Sequence, residues 1–187
     1  MADTVRSESD LLTALFQDGQ TAGISAQDIR DLIVSFAQPY GGLYFSTPAA
    51  TTISASGTYY KAAGTTTTTN LRLVDDAGGT NNRLRYTGTI PMHFTVSAQV
   101  SLTFAAGTNQ VAGLEIWHYD DSASSGSLVA ASEAQTFAAA TEVNSLSAVC
   151  DLTLDTNDYI EIHIANHTGT NNMQVALGML YLEGKLV

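Results

Sequence analysis

Hydrophobic and polar residues alternate over most of the chain after Gly41. The clearest stretch is HFTVSAQVSLTF, residues 93–104, in which every second residue is apolar and the residues between them are small and uncharged. This period of two predicts a β-strand with one face in a core and the other covered by hydroxyl and amide groups. At about 3.4 Å per residue the strand spans roughly 40 Å, about twice the usual length.

Eight further segments have the composition of strands, and turns rich in Gly, Asn and Asp separate them. These candidate strands are TTISASGTYY, NLRLVDD, NRLRYTG, VAGLEIWHY, GSLVAAS, VNSLSAVCDLTL, DYIEIHIAN and NMQVALGMLYLEGKL. No helical stretch of useful length interrupts them, so we do not expect a parallel α/β sheet. The pattern predicts an all-β fold, an antiparallel jelly-roll sandwich.

The N-terminal segment has a helical period instead, and two short amphipathic helices are predicted there. Ser7 and Ser25 are the expected N-caps, Asp28 takes the capping-box position, and Pro39 prevents the second helix from continuing. The two apolar stripes consist of Leu11, Leu12, Leu15 and Phe16, and of Ile29, Leu32, Ile33 and Phe36. Helices this short are marginal alone, so the stripes need a partner surface. The chain therefore divides into a helical arm, residues 1–41, and a head domain, residues 42–187.

The charge content is low and strongly acidic. Charged residues make up 13% of the chain, against about 25% in an average soluble protein. The net charge of -11 repels phosphate backbones and anionic headgroups, so we expect no nucleic-acid and no membrane partner. The N-terminus carries acidic residues where a secretory signal carries basic ones, which predicts synthesis in the cytoplasm without export.

The residues that carry most enzyme chemistry form no recognisable constellation. The histidines lack zinc-site spacing, and the Asp pairs 75–76, 120–121 and 155/158 fall in predicted turns, where Asp bonds its own backbone. Cys150 alternates with apolar residues, which predicts a buried and inert thiol. Nucleophile-elbow, phosphate-loop and dinucleotide motifs do not occur. We therefore expect no enzyme and no cofactor, although three copies of a histidine around a metal on a symmetry axis remain an alternative to hydrogen-bonded or interfacial histidines. These histidines are His93, His118, His163 and His167.

A run of five threonines, residues 65–69, stands out by composition. Its β-branched residues favour a surface edge or loop. A hydroxyl-rich rim facing a glycan is the alternative, which the neighbouring Tyr59 and Tyr60 support.

The last strand is apolar on both faces, since Val175, Leu177, Met179 and Tyr181 alternate with Ala176, Leu180 and Leu182. A strand of a monomeric sandwich normally has one polar face, so the second apolar face is predicted to lie against another subunit. The aromatic residues of LEIWHY also lack charged neighbours, which is typical of an obligate interface. The predicted subunit interface comprises Trp117, Tyr119, Leu180, Tyr181 and Leu182.

Three segments resemble a known family. LRYTGTIPMHFTVSAQVSLTF, LTLDTNDYIEIHIAN and NNMQVALGMLYLEGKL are similar to the trimeric jelly-roll heads of tumour necrosis factor and the first complement component, in the form found on bacteriophage virion proteins. The segment GISAQDIRDLIVSFAQPYGGLYF is similar to the start of phage fibre and capsid-decoration proteins. The resemblance implies a homotrimer with the final strand near the threefold axis, from which three arms emerge.

Three functions follow as hypotheses. The first is a capsid decoration, or cement, protein on the outer capsid surface of a virion, whose arm docks on the major capsid protein or another virion protein. Its docking residues are Leu11, Leu12, Leu15, Phe16, Ile29, Leu32, Ile33 and Phe36. The second is the receptor-binding tip of a tail fibre or spike that contacts a host glycan or receptor. The third is a polysaccharide-active enzyme, which no residue nominates.

Overall fold

The computed structural model describes residues 25–35, 38–76, 82–140 and 142–185. These residues form an α-helix, α1 (Ala26–Ser35), and a short 3₁₀ helix (Ala130–Ser132) besides thirteen strands. The strands are β1 (Tyr40–Pro48), β2 (Ala50–Thr51), β3 (Tyr60–Lys61), β4 (Gly64–Arg72), β5 (Val74–Asp75), β6 (Arg83–Tyr86), β7 (Met92–Phe104), β8 (Gln110–Asp120), β9 (Ser125–Leu128), β10 (Ala134–Ala138), β11 (Asn144–Leu154), β12 (Tyr159–Asn166) and β13 (Met173–Lys185). Within the described ranges, no helix is both long and apolar enough to cross a membrane.

The strands form two antiparallel sheets. The front sheet has the order β11-β7-β13-β1-β4, with β2 paired to the start of β13. The back sheet has the order β10-β8-β12-β6-β5, with β3 paired to β12 and β9 to β8. Most neighbouring strands, such as β7 with β13 and β8 with β12, are not consecutive in sequence, as in a jelly roll. The predicted all-β sandwich is therefore confirmed.

Strand β7 lies inside the front sheet, between β11 and β13. Its alternation is confirmed: the apolar residues Phe94, Val96, Ala98, Val100, Leu102 and Phe104 are all buried between the sheets. The back sheet completes the core from its own inward face with Leu84, Leu114, Ile116, Ile160, Ile162 and Ile164. Each sheet thus contributes one apolar face, which makes burial of the core the main favourable term in folding.

Helix α1 begins where its cap predicts. The Asp28 amide donates to Ser25 Oγ at 3.1 Å, and the Ser25 amide donates to Asp28 Oδ2 at 2.8 Å. This reciprocal capping box satisfies two amides at the helix start. The first strand starts at Tyr40, two residues before the predicted start of the head. At this junction Pro39 is buried, and its carbonyl accepts a hydrogen bond from the Gly184 amide at 2.7 Å.

The motifs that carry the family resemblance contain residues that hold two loops of the sandwich in place. Tyr86 is buried and its hydroxyl donates to the Ile90 carbonyl at 2.7 Å, while Thr156 Oγ1 donates to the Gly88 carbonyl. Asn157 has a φ of 72°, a left-handed conformation that Asn tolerates better than most residues. The turn after β11 and the loop before β7 are therefore fixed together at one end of the sandwich.

The sequence pattern misplaced several strands. β1 and β10 were not predicted, and the predicted strand TTISASGTYY contains only the short β2 end and the start of β3. The threonine run belongs to β4, a border strand of the front sheet, so the surface-edge interpretation is correct. GSLVAAS divides between β9 and the 3₁₀ helix.

Candidate functional site

The outward face of the front sheet carries an apolar surface without charge at its centre. We call this surface the front face and define it by the exposed apolar side chains Tyr44, Leu177 and Met179 with the surrounding Gln99, Ser101, Ser145 and Ser147. Leu177 is 69% exposed and Met179 is 48% exposed. Large apolar side chains grouped in this way on a sheet mark an interaction surface.

A β-bulge in β13 creates this surface. Val175 pairs with Leu102 and Leu177 with Ser101, so Ala176 is an extra residue on β13. Before the bulge Val175 points into the core, and after it Leu180 does so, while Leu177 turns outward. The bulge thus changes which residues of the strand face the core.

The front face contains a groove of about 520 Å³. Phe45, Val100 and Leu146 line its floor beside Gly178, and they are otherwise core residues. Gly178 contributes its backbone to this floor, since a Cβ atom at this position would point toward Phe45 and Val175 in the core. An apolar groove with a rim of serine and glutamine suits an apolar side chain of another protein.

The hydroxyl groups on the outward face of β7 bond within the chain. Ser101 Oγ lies 3.0 Å from Ser145 Oγ, and Thr95 Oγ1 donates to Asp151 Oδ1 at 2.8 Å. The charges on this side of the sheet collect at one end, where Lys185 Nζ donates to Asp151 at 2.7 Å. The centre of the front face is left uncharged, so desolvating it costs little.

The five predicted interface residues do not form one surface. Leu180 and Leu182 are fully buried in the core of their own chain, so they have no surface left for another copy, and their assignment to the interface is corrected. The prediction assumed strict alternation, which the bulge at Ala176 breaks. Of the three predicted interface residues in the last strand, only Tyr181 faces outward on the front sheet, where it is half-buried.

Trp117 and Tyr119 lie on the opposite side of the molecule, on the outward face of the back sheet. The Trp117 ring stacks on His163 with centroids 4.8 Å apart and planes 5° apart, and Tyr119 stacks on Tyr159 at 4.5 Å and 14°. The Arg83 guanidinium lies 4.1 Å from the Tyr159 centroid. One face of each ring is thus used within the chain. Whether their outer edges meet another subunit stays a prediction.

A charged cluster lies between these stacks. Glu161 is buried and accepts hydrogen bonds from Lys61 Nζ at 2.6 Å and, on its other oxygen, contacts His163 Nε2 at 3.2 Å; Arg83 Nε is 3.4 Å away. Burial acts to raise the pKa of Glu161, but the hydrogen bonds from His163 and Lys61 and the nearby positive charges outweigh it and lower the pKa. Burial lowers the pKa of Lys61, an effect that Glu161 partly offsets.

The other residues that could have carried out catalysis or bound a metal make contacts within the fold. Asp158 is buried; it accepts the amides of Asp121 and Asp155 and contacts His118. Each of the four histidines lies within hydrogen-bonding distance of a side chain. Cys150 is buried as predicted, and burial raises the pKa of its thiol to about 11. No group of three or more potential metal ligands occurs in the described part of the chain.

The predicted docking residues are described only in part. Ile29 is 49% exposed and Ile33 is 62% exposed on α1, and Leu32 is half-buried. The described part of the predicted stripe therefore presents two large apolar side chains to solvent. Leu11, Leu12, Leu15, Phe16 and Phe36 lie outside the described residues.

The sequence missed the residues that define the front face. Tyr44 was missed because its strand, with two glycines and a proline, has a weak strand pattern. Leu177 and Met179 were recognised as apolar but were not assigned to the interface. The sequence feature that could have revealed their position is Gly178, which lies between them. An isolated glycine in a strand often marks a bulge or a close approach of another part of the backbone.

Comparisons with known proteins support the fold. No family model matches the sequence, and no curated protein matches it. Among solved structures, murine APRIL at pH 5.0 is similar with a TM-score of 0.51 and 8% identity, over 78% of this chain and 99% of that one. The Eiger TNF of S. frugiperda is similar with a TM-score of 0.51 and 9% identity, over 79% and 94%. The globular domain of zebrafish complement 1qA protein has a TM-score of 0.46 and 11% identity, over 80% and 97%. The two structures with TM-scores above 0.5 show that the chain has the jelly-roll fold of the tumour-necrosis-factor type.

Proposed function

We propose that this chain is a structural virion protein, a homotrimeric capsid decoration protein that docks on a phage shell through its N-terminal arm and stabilises it. The observation that carries the proposal is the uncharged apolar front face. It is a surface that a lone jelly roll would leave in water, and another copy of the chain would cover it. The proposal includes no catalytic activity and no cofactor.

Self-association through the front face accounts for its composition. Leu177, Met179 and Tyr44 give the apolar centre, and the groove at Gly178 gives a recess that a neighbouring side chain fills. Cyclic symmetry closes such an assembly, because each copy offers one patch and receives another. The first test is therefore the mass of the protein in solution, measured by sedimentation equilibrium. Three chains per particle support the proposal, and a stable monomer at micromolar concentration contradicts it.

The arm supplies the docking function. Its helix α1 is capped and forms while Ile29 and Ile33 remain exposed, as a helix would that awaits a groove on another protein. Pro39 fixes the junction of arm and head against Gly184 at the end of the last strand. Three arms on one trimer bind a repeating shell with avidity.

Deletion of residues 1–38 tests the docking role, since it removes the arm and leaves the Pro39 contact. The shortened protein should remain a trimer and should no longer co-sediment with undecorated shells. Ile33→Glu in the full chain should have the same effect, because docking would bury an unpaired charge. Ser127→Glu, an equal charge change on the exposed β9, is the control and should still bind. Retained binding by the shortened protein would assign docking to the head.

A receptor-binding tip is the second candidate, and the exposed hairpin after β8 favours it. Asp120 Oδ1 accepts hydrogen bonds from Ser122 Oγ at 2.7 Å and the Ala123 amide at 2.9 Å, and Ser124 has a φ of 50°. The hairpin is therefore a preformed, hydroxyl-rich loop of the kind that contacts glycans or proteins. Binding of the isolated head to host cells, lost on substitution of this hairpin, would support this function over decoration.

A further inference from the structure

Strand β4 forms one border of the front sheet. Among the described strands it pairs in this sheet with β1 alone. It runs for nine residues, and the first eight, GTTTTTNL, contain no charge and no proline. A long uncharged border offers unpaired N–H and C=O groups to another extended chain, and natural sheets usually prevent this with charges, proline or short strands.

The other borders of the two sheets have such protection. In the back sheet, β10 has five residues and β5 has two. In the front sheet, β11 carries the exposed Asp151 as the eighth of its eleven residues. Within the described residues, β4 therefore has the longest uncharged run of the border strands, since its one charge, Arg72, is at its end.

The threonine run is the regular part of this border. The ladder with β1 is unbroken from Thr66 to Thr69, and the left-handed Asn70, with a φ of 51°, ends it. At the other end, the Asn82 side chain accepts from Thr66 Oγ1 at 3.0 Å and donates to the Gly64 carbonyl at 2.8 Å. The edge is thus held extended over five residues before any partner binds, which lowers the entropy cost of pairing.

We propose that β4 of one copy pairs antiparallel with β4 of a second copy, about a twofold axis at Thr67. The run is self-complementary, because this register places Thr65 opposite Thr69 and Thr67 opposite itself. Cross-strand threonine pairs are favourable, whereas like charges placed opposite each other are destabilising. Two chains that each carry a net charge of -11 repel each other, and the repulsion is weakest where neither surface presents a charge. The run meets that condition.

This contact uses the border of the front sheet and not the arm, and it lies beside the front face, because Thr67 is the cross-strand neighbour of Tyr44. It uses a twofold, isologous interface, in which the same patch serves both copies. Pairing through β4 joins two heads edge to edge, and it doubles the number of chains when every β4 border of one assembly meets a border of the same second assembly. The contact is short, so it gains most when many copies are held close together on a repeating surface.

Disulfide trapping of the full-length protein tests the geometry. In an antiparallel pair the Cα atoms of opposed residues are about 4.5 to 5.5 Å apart, within the range that a disulfide spans. Thr67→Cys should therefore give a disulfide-linked pair of chains on mild oxidation. Ser127→Cys, on the exposed β9 of the back sheet, is the matched control and should not. The native Cys150 is buried and should not compete. Absence of the linked pair with Thr67→Cys, or equal linkage in both variants, would overturn the proposal.

Charge at the axis gives a second test. Thr67→Lys places two like charges opposite each other, whereas Thr67→Ser keeps the hydroxyl. Concentration-dependent doubling of mass, measured by sedimentation velocity, should occur in the native protein and in Thr67→Ser and be lost in Thr67→Lys. The smaller assembly should keep its mass in all three, which separates this contact from the front face. Doubling that persists in Thr67→Lys, or is missing in the native protein at millimolar concentration, would refute the contact.

Discussion

Gly178 lies directly above the ring of Phe45. A Cβ atom at position 178 would be 2.8 Å from Cδ2 of this ring and 2.7 Å from Cγ1 of Val175, both closer than carbon atoms pack. A side chain at position 178 would therefore clash with the core between these two residues. A glycine at this point lets the backbone of β13 lie against the core at the floor of the groove.

Gly178→Ala should destabilise the protein by about 1 to 3 kcal/mol, because the added methyl group overpacks the site. Urea denaturation at fixed protein concentration measures the loss. Gly169→Ala is the control: the nearest atom to its added Cβ would be Gln110 Oε1 at 3.9 Å, so its stability should change little. Equal stability of the Gly178 and Gly169 variants would show that Phe45 yields at no cost.

Two leucines that follow the bulge, one exposed and one buried, should respond differently to truncation. Leu180→Ala removes a fully buried side chain and should cost about 2 to 5 kcal/mol of unfolding free energy. Leu177→Ala removes an exposed one and should change the stability of the isolated chain by less than about 0.5 kcal/mol, while it weakens self-association. Denaturation and sedimentation of both variants measure the two effects. A large loss of stability in dilute Leu177→Ala would contradict the position of the bulge.

The sequence predicted the fold class because strict alternation is a strong local signal. β7 and β12 place their large aliphatic residues toward the core as the period of two requires, and β11 does so apart from the exposed Val149. β1 was missed because its glycines and proline hide the period. Its place between β13 and β4 depends on pairing with residues far along the chain, and no local pattern records that pairing.

The candidate site was harder to predict for a related reason. One extra residue at Ala176 reverses the faces of β13, so the same apolar residues divide differently between core and surface. The interpretation that placed Leu180 and Leu182 at an interface rested on an apolar second face that does exist, at Leu177 and Met179. Sequence alone thus indicated that the strand has two apolar faces, and the bulge decides which residues form each.

The Cys150 thiol should react slowly with disulfide reagents in the folded protein. The side chain is buried, and burial raises its pKa to about 11, so at pH 8 little thiolate is present or accessible. The thiol reaction should be at least about a hundredfold faster in denaturant, where Cys150 behaves as an ordinary cysteine. Spectrophotometric titration of the thiol, with and without urea, measures the ratio. Rapid stoichiometric reaction without urea would show that β11 opens or that the residue is exposed.

Two buried glutamates on the outward face of the back sheet should give opposite pH dependences. Hydrogen bonds and positive charges lower the pKa of Glu161 below the ordinary 4.5, so its stabilising contribution is full above about pH 4.5 and is lost as the pH falls through the folded-state pKa. Burial and the charge of Glu133 raise the pKa of Glu115 above 4.5. The stability that Glu115 contributes is therefore full below pH 4.5 and is lost as the pH rises through its folded-state pKa.

The unfolding free energies of Glu161→Gln and Glu115→Gln, each measured relative to the native protein between pH 3 and 7, should therefore change with pH in opposite directions. At neutral pH Glu161→Gln should be less stable by roughly 1 to 3 kcal/mol, between the values for exposed and buried pairs, because Lys61 remains half-exposed. Its deficit should shrink as the pH falls below 4.5. Glu115→Gln should instead become more stable relative to the native protein as the pH rises above 4.5, because the amide removes a carboxylate that burial disfavours. Parallel curves for the two variants would mean that the Lys61, Arg83 and His163 contacts do not hold Glu161 charged, and the opposite slopes would show that they do.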